Sequence, residues 1–93
     1  SGNSGDLKDG AEISTVKISA IKLSSGDYSY NISSATMVVK YVSGSPHLYT
    51  KSGTLIGAVK PNPDSKCGPY SVSQYNYRAY TASTSSITYY YFN

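Results

Sequence analysis

The 93 residues carry eight lysines and arginines against five acids, a net charge of +3, with one cysteine and no tryptophan. That length holds one domain, a lone cysteine excludes an internal disulfide framework, and so mild and scattered a charge forms no phosphate-tracking basic stripe. The eighteen Leu, Ile, Val, Met and Phe residues are few for a globular chain, but eleven tyrosines supply the missing apolar area, and the low charge argues against disorder.

Residues 1–10, small, polar and glycine-rich, read as a flexible arm, leaving residues 11–93 as a single domain. From Ala11, Val16, Ile18 and Ala20 alternate with Lys17 and Ser19, the pattern of a half-buried strand. Ile21 and Leu23 fall in the opposite phase, which predicts a bulge near Ser19-Ala20 or a strand end buried on both faces. Ser24-Ser25-Gly26-Asp27 is a turn, and Tyr28, Tyr30 and Ile32 alternate after it, completing a first hairpin. Ser33-Ser34 is expected to break the strand. The next one, Ala35 to Val42, is apolar on both faces and so central, and Ser43-Gly44-Ser45-Pro46 ends it.

Leu48 to Lys51 and Thr54 to Val59 flank Ser52-Gly53 as a tight hairpin, with glycine available for positive φ. Lys60 to Pro69 contains three prolines and one glycine and is expected to carry no regular element. Eight of the twelve aromatic residues follow between Tyr70 and Phe92, in two runs around Ala82-Ser83-Thr84-Ser85-Ser86 that read as an aromatic β-hairpin. Closing it with Ala82 opposite Ser86 puts Tyr77 across from Tyr91 and Arg78 across from Tyr90, a cation–π pair. A slip of one residue aligns Tyr75 and Tyr77 with Phe92 and Tyr90 instead. No apolar repeat at helical spacing appears, so the fold class is all-β. The expected architecture is a small antiparallel β-sandwich of about seven strands, with a small β-barrel as the alternative.

Catalytic chemistry finds few groups. Asp6, Asp9 and Glu12 do not have the spacing of a calcium loop and read as a solvated acidic patch. Cys67 stands beside Lys66, which would favour its thiolate, but the one histidine, His47, lies far off in sequence. Asp27 and Asp64 fall in turns, where aspartate serves its own backbone, and no glycine-rich phosphate cradle is present. Asn31-Ile32-Ser33 matches a glycosylation acceptor by chance in a serine-rich chain. The expectation is a non-enzymatic protein with no cofactor and no bound metal.

The period of two along a strand sends Tyr89, Tyr90, Tyr91 and Phe92 to both sides of the sheet. Either a second layer covers the side away from the core, or that side is an exposed aromatic patch of the kind that marks binding. Tyr75, Tyr77, Arg78, Tyr89, Tyr90 and Tyr91 are therefore the candidate binding residues, for a protein partner or a cell-surface glycan. The absence of tryptophan, which sugars prefer for stacking, favours the protein. Single-stranded nucleic acid is a further alternative, weakened because only Arg78 is interleaved with the rings. A composition poor in charge and rich in Ser, Thr, Tyr and Asn points to a secreted or cell-surface location, with a signal peptide already removed. The longest aliphatic run, Met37-Val38-Val39, is too short to span a bilayer.

The ending Ile87-Thr88-Tyr89-Tyr90-Tyr91-Phe92-Asn93 resembles the tyrosine-rich C-terminal strand of small secreted β-sandwich bacteriocins of the lactococcin type. Their tryptophans and glycine-rich opening are missing here and Cys67 is extra. The resemblance implies a secreted antibacterial or toxin-like effector as an alternative function.

Overall fold

The computed structural model describes residues 8–93 and is all-β. Among the described residues nine strands follow in chain order: β1 (Glu12–Lys22), β2 (Tyr28–Val42), β3 (Ser45–Thr50), β4 (Leu55–Ala58), β5 (Lys60–Pro61), β6 (Lys66–Cys67), β7 (Tyr70–Ser71), β8 (Tyr77–Ala82) and β9 (Ser86–Phe92). Seven of them form one antiparallel sheet in the order β4-β3-β2-β1-β9-β8-β5, and β6-β7 is a separate two-stranded ribbon. β4 and β5 stand at opposite ends of that order yet are joined through the single residue Val59. One bent segment therefore draws the sheet into a nearly closed, barrel-like form, compatible with either expected architecture. The Val59 amide donates to the Pro46 carbonyl at this corner (3.0 Å). Along the seam, a Cβ on Gly57 would lie 2.8 Å from the Tyr80 carbonyl oxygen, so the approach of β4 to β8 requires glycine.

Of the arm expected over residues 1–10, residues 1–7 lie outside the described residues. Lys8 to Gly10 are exposed, and the chain is tied to β2 there. The Gly10 amide donates to Val39 O (2.6 Å), and the Tyr41 amide donates to the Asp9 carboxylate (3.1 Å).

Three turns follow their chemistry. Gly26, Gly44 and Gly53 all sit at positive φ, and Ser43 joins Gly44 there at φ 51° in the two-residue turn between β2 and β3. Other expectations are corrected. Ser33-Ser34 does not interrupt β2. The pairing with β1 runs without a break from Glu12↔Val38 to Lys22↔Tyr28, placing Ser33 opposite Lys17 and Ser34 opposite Val16. Small polar residues break a strand only when no neighbour supplies the ladder, and here β1 supplies it throughout. The same unbroken register excludes a bulge at Ser19-Ala20. Ile21 and Leu23 change phase because they lie at an exposed hairpin end. The proline-rich segment carries two short ladders, Lys60-Pro61 against β8 and Lys66-Cys67 against β7. Each is two residues long and so accommodates the flanking prolines.

The last hairpin takes neither expected register. Its pairs are Ile87↔Ala82, Thr88↔Thr81, Tyr89↔Tyr80, Tyr90↔Ala79, Tyr91↔Arg78 and Phe92↔Tyr77. A tight turn sets this, with the Ser83 amide donating to Ser86 O (2.8 Å) and the two serine hydroxyls bonded to each other (2.7 Å).

Side chains alternate across β9 to two different interiors. Tyr90 and Phe92 point into the barrel with Met37, Val39, Leu48, Val59 and Ala79. Tyr89 and Tyr91 point outward, where Ile18, Cys67 and Val72 form a second cluster flanked by Tyr30, Tyr70 and Tyr75. The covering layer is the irregular segment 62–76 with its β6-β7 ribbon. The side away from the core is thus covered over Tyr91, which is 1% exposed, while Tyr89 is only half-buried.

Candidate functional site

The outer layer is held down by two polar residues, and their arrangement shapes a concave site beside it. Asn62 braces the segment from within. Its side-chain amide donates to Val72 O (2.9 Å), Tyr75 O (3.0 Å) and Asp64 O (3.3 Å), and its Oδ1 accepts from the Asp64 amide (2.9 Å). Asp64 latches the segment to the sheet. One carboxylate oxygen, Oδ2, accepts from Arg78 Nη1 at 2.8 Å and from the Tyr91 hydroxyl at 2.9 Å. Asp64 is therefore not serving its own turn as the sequence suggests. It bonds to β8 and β9, 14 and 27 residues away.

Beside the latch lies a groove of about 410 Å³, lined by Tyr28, Tyr30, Tyr89, Ile87, Lys66 and Arg78, with Asp64, Cys67, Gly68 and Tyr91 forming its floor and wall. Its geometry follows from strand alternation. Residues 28 and 30 of β2 share the outer face with Ala20 of β1, Ile87 and Tyr89 of β9, and Arg78 of β8. The Gly68 backbone lies flat on the Tyr30 ring, at φ 61° with three ring atoms within 2.7 Å of where a Cβ would stand. Arg78 lies over a pair of neighbouring rings, its guanidinium carbon 5.7 Å from the Tyr80 centroid and 5.6 Å from that of Tyr89. The cation–π contact expected with Tyr90 is thus made to Tyr80 and Tyr89, because the true register puts Tyr90 inside the barrel.

The six sequence-predicted residues divide accordingly. Arg78 and Tyr89 line the groove, and Tyr91 closes its floor. Tyr75 packs half-buried against Tyr91 (centroids 6.3 Å apart). Tyr77 stacks on Phe92 (5.6 Å) against the inner core, and Tyr90, 5% exposed, belongs to that core. Sequence reasoning missed Tyr28, Tyr30, Lys66, Ile87 and Asp64 as lining residues. The alternation of Tyr28 and Tyr30 was the available signal, since it places both rings on one face, but nothing in the sequence joins that face to β9.

The groove continues at both ends. Through Arg78 it meets a smaller cavity lined by Gly57, Ala58, Lys60 and Tyr80, and through Tyr28 and Ile87 it meets another beside Lys22 and Ser83 to Ser86. Rings and cations are thus interleaved in space to a degree that the sequence order conceals.

Burial pushes the Cys67 thiol up, against a smaller opposing pull from the Tyr91 hydroxyl, so the modest lean towards the thiolate expected from Lys66 is outweighed. His47 is on β3, its Nδ1 2.9 Å from Ser45 O. The described residues contain no cluster of three or more His, Cys, Asp or Glu able to hold a metal ion. No helix of the described residues is long and apolar enough to cross a membrane.

Burial also holds the Tyr89, Tyr90 and Tyr91 hydroxyls above the usual phenol range, and for Tyr91 the hydrogen bond to the Asp64 carboxylate adds to it. An unfolded tyrosine ionises near pH ~10, while these three keep their protons. Above that pH the unfolded chain binds fewer protons than the folded one, so stability falls as pH rises. Tyr90 and Tyr91 each contribute up to about 1.4 kcal/mol per pH unit until the folded value is reached, and the half-buried, solvent-screened Tyr89 contributes less. Urea midpoints are therefore expected to be flat from neutral pH to the onset of thiol and phenol ionisation and to drop steeply above pH ~10. A midpoint that holds to pH ~11 would show that the hydroxyls are not buried as described.

Comparison with protein-family models, with curated protein sequences and with solved structures returned no match.

Proposed function

We propose that the protein is a non-enzymatic binding module that holds a protein partner in the groove between the β1-β2 hairpin, the Cys67-Gly68 turn and β9. The observation that carries this reading is the lining itself. Tyr28, Tyr30 and Tyr89 present ring surface from fixed strands, and Lys66 and Arg78 stand among them with Asp64 as the single acid, already bonded to Arg78. Rigid rings give contact area at low entropic cost, and the cation excess suits a segment bearing an acidic side chain. The composition supports a secreted or cell-surface setting for such a module.

Selection of peptides displayed on phage against the immobilised full chain tests this. The expected binders carry Asp or Glu beside an apolar residue and lose at least about tenfold in affinity to Tyr28→Ala and to Lys66→Ala, each a loss of about 1.4 kcal/mol. Both side chains are exposed or rim-placed, so the fold survives their truncation. Binders indifferent to both variants would remove the groove from the reading.

A second reading rests on the interleaving described above. Lys22, Lys60, Lys66 and Arg78 alternate with Tyr28, Tyr30, Tyr80 and Tyr89 along three adjoining cavities, which suits stacking and charge contacts with a single-stranded nucleic acid. Under this reading a labelled oligonucleotide binds at low salt and is released steeply as salt rises; no binding at low salt removes it.

A further inference from the structure

β2 is much longer than its neighbour on one side. β1 pairs with it from Tyr28 to Val38, but β3 pairs only with Met37 to Val42. Among the described residues, the stretch Tyr28 to Ala35 therefore has a strand along one edge and none along the other. The direction of its backbone groups follows from Val39, whose amide donates to Ala11 O and whose carbonyl accepts from Gly10, both on the β1 side. Odd-numbered residues thus bond towards β1. The N–H and C=O groups of Tyr28, Tyr30, Ile32, Ser34 and Thr36 point away from it.

Monomeric proteins blunt such an edge with lysine, proline, a bulge or shortness. This one has none of these. The eight residues Tyr-Ser-Tyr-Asn-Ile-Ser-Ser-Ala contain no charge and no proline, the register is unbroken, and Ile32 is 47% exposed. The chain is basic overall, so two copies repel wherever lysines meet, and an uncharged stretch is where they meet without that cost.

We infer that the Tyr28–Ala35 edge joins a second copy of this chain, antiparallel across a two-fold axis at Ile32. The stretch is self-complementary in this register. Ile32 faces its own copy and Tyr30 faces Ser34, so that the outward amides and carbonyls of these residues find partners, about six N–H···O bonds in all. No like charges are opposed. Opposed residues on a sheet reinforce one another by side-chain contact, and Ile32 against itself covers an aliphatic side chain left open on this strand's outer face. A contact of one strand pair buries less than the ~1,200 Å² of a tight complex, so the dissociation constant is expected on the order of 10–100 µM. The inference is independent of any ligand in the groove.

Residue-resolved amide exchange on the wild-type chain, at about 10 µM and about 1 mM, tests it alongside sedimentation velocity. The mass is expected to rise from 9.9 kDa towards twice that value. Exchange at Tyr30, Ile32 and Ser34 is expected to slow by about tenfold or more with concentration, while Ser29, Asn31 and Ser33, already bonded to β1, do not change. Ile32→Lys opposes two cations, and Ser34→Pro deletes an outward amide that the monomer does not use; each is expected to abolish the dimer with its circular dichroism unchanged. A chain that is monomeric at 1 mM overturns the inference. So does a dimer that survives either folded variant, or even-numbered protection that is independent of concentration, which would assign the edge to residues 1–7 of the same chain.

Discussion

Asp64→Ala is expected to lower the unfolding free energy by about 3 kcal/mol, equivalent to a fall of roughly 15 °C in Tm for a domain of this size. The reason is the number of groups that the one carboxylate satisfies. Without it the Arg78 guanidinium, mostly covered and held over two rings, loses its only ion pair among the described residues. The Tyr91 hydroxyl, on a side chain that is 1% exposed, loses the acceptor at 2.9 Å. Leaving one buried hydrogen-bonding group unpaired costs about 1–3 kcal/mol, and a stranded, largely covered cation adds to this. Tyr91→Phe separates the two parts, because it removes the hydroxyl while leaving the ring and the Asp64–Arg78 pair; its expected cost is about 1 kcal/mol. The double variant is expected to be milder than the sum, since the hydroxyl can be orphaned only once. A thermal or urea unfolding series on the four proteins measures all of this. Equal and small effects would mean that Asp64 does not latch the outer layer.

Gly68→Ala is the second large effect, about 3 kcal/mol. Two independent contributions combine. At φ 61° an alanine enters the left-handed region, which costs about 1–2 kcal/mol for an L-residue. Its Cβ would then stand 2.6 Å from Tyr30 Cδ2, a separation that side chains do not sustain, so either the ring or the turn has to move. Overpacking of this kind costs about 1–3 kcal/mol. In a Tyr30→Ala background the second contribution disappears, and the same substitution is expected to cost only the backbone share, about 1–2 kcal/mol. Because the turn carries Cys67, the movement has a chemical readout. The thiol, buried at 6% exposure, is expected to react sluggishly with a thiol reagent in the wild type and faster in Gly68→Ala. An unchanged reaction rate together with unchanged stability would contradict the packing of Gly68 on Tyr30.

The fold was readable from the sequence where local chemistry decides it. Ser24 to Asp27, Ser43-Gly44 and Ser52-Gly53 make turns wherever they occur, and the strands between them alternate as half-buried strands do. Legibility ended where the deciding contact is distant. Ser33-Ser34 looks like a break until β1 is laid beside it. The run Tyr89 to Phe92 is apolar at every position and so fits any register equally well; four residues of the turn, Ser83 to Ser86, make the choice. Asp64 reads as a turn aspartate because its partners Arg78 and Tyr91 are remote in the chain. The groove was legible in half. Arg78 and Tyr89 could be named from the aromatic hairpin, whereas Tyr28 and Tyr30 arrive from the first hairpin by way of a central strand.

The central point is that β9 has two interiors, a barrel within and a latched layer without. Hydroxyl-radical footprinting of the wild-type chain, resolved by tyrosine, tests it most directly. Tyr28 and Tyr80, 48% and 50% exposed, are expected to oxidise about tenfold or more faster than Tyr90 and Tyr91, at 5% and 1%. In Asp64→Ala the rate at Tyr91 is expected to rise while Tyr90 stays protected, since only the outer interior is unlatched. Oxidation of Tyr91 in the wild type as fast as Tyr28 would contradict the account.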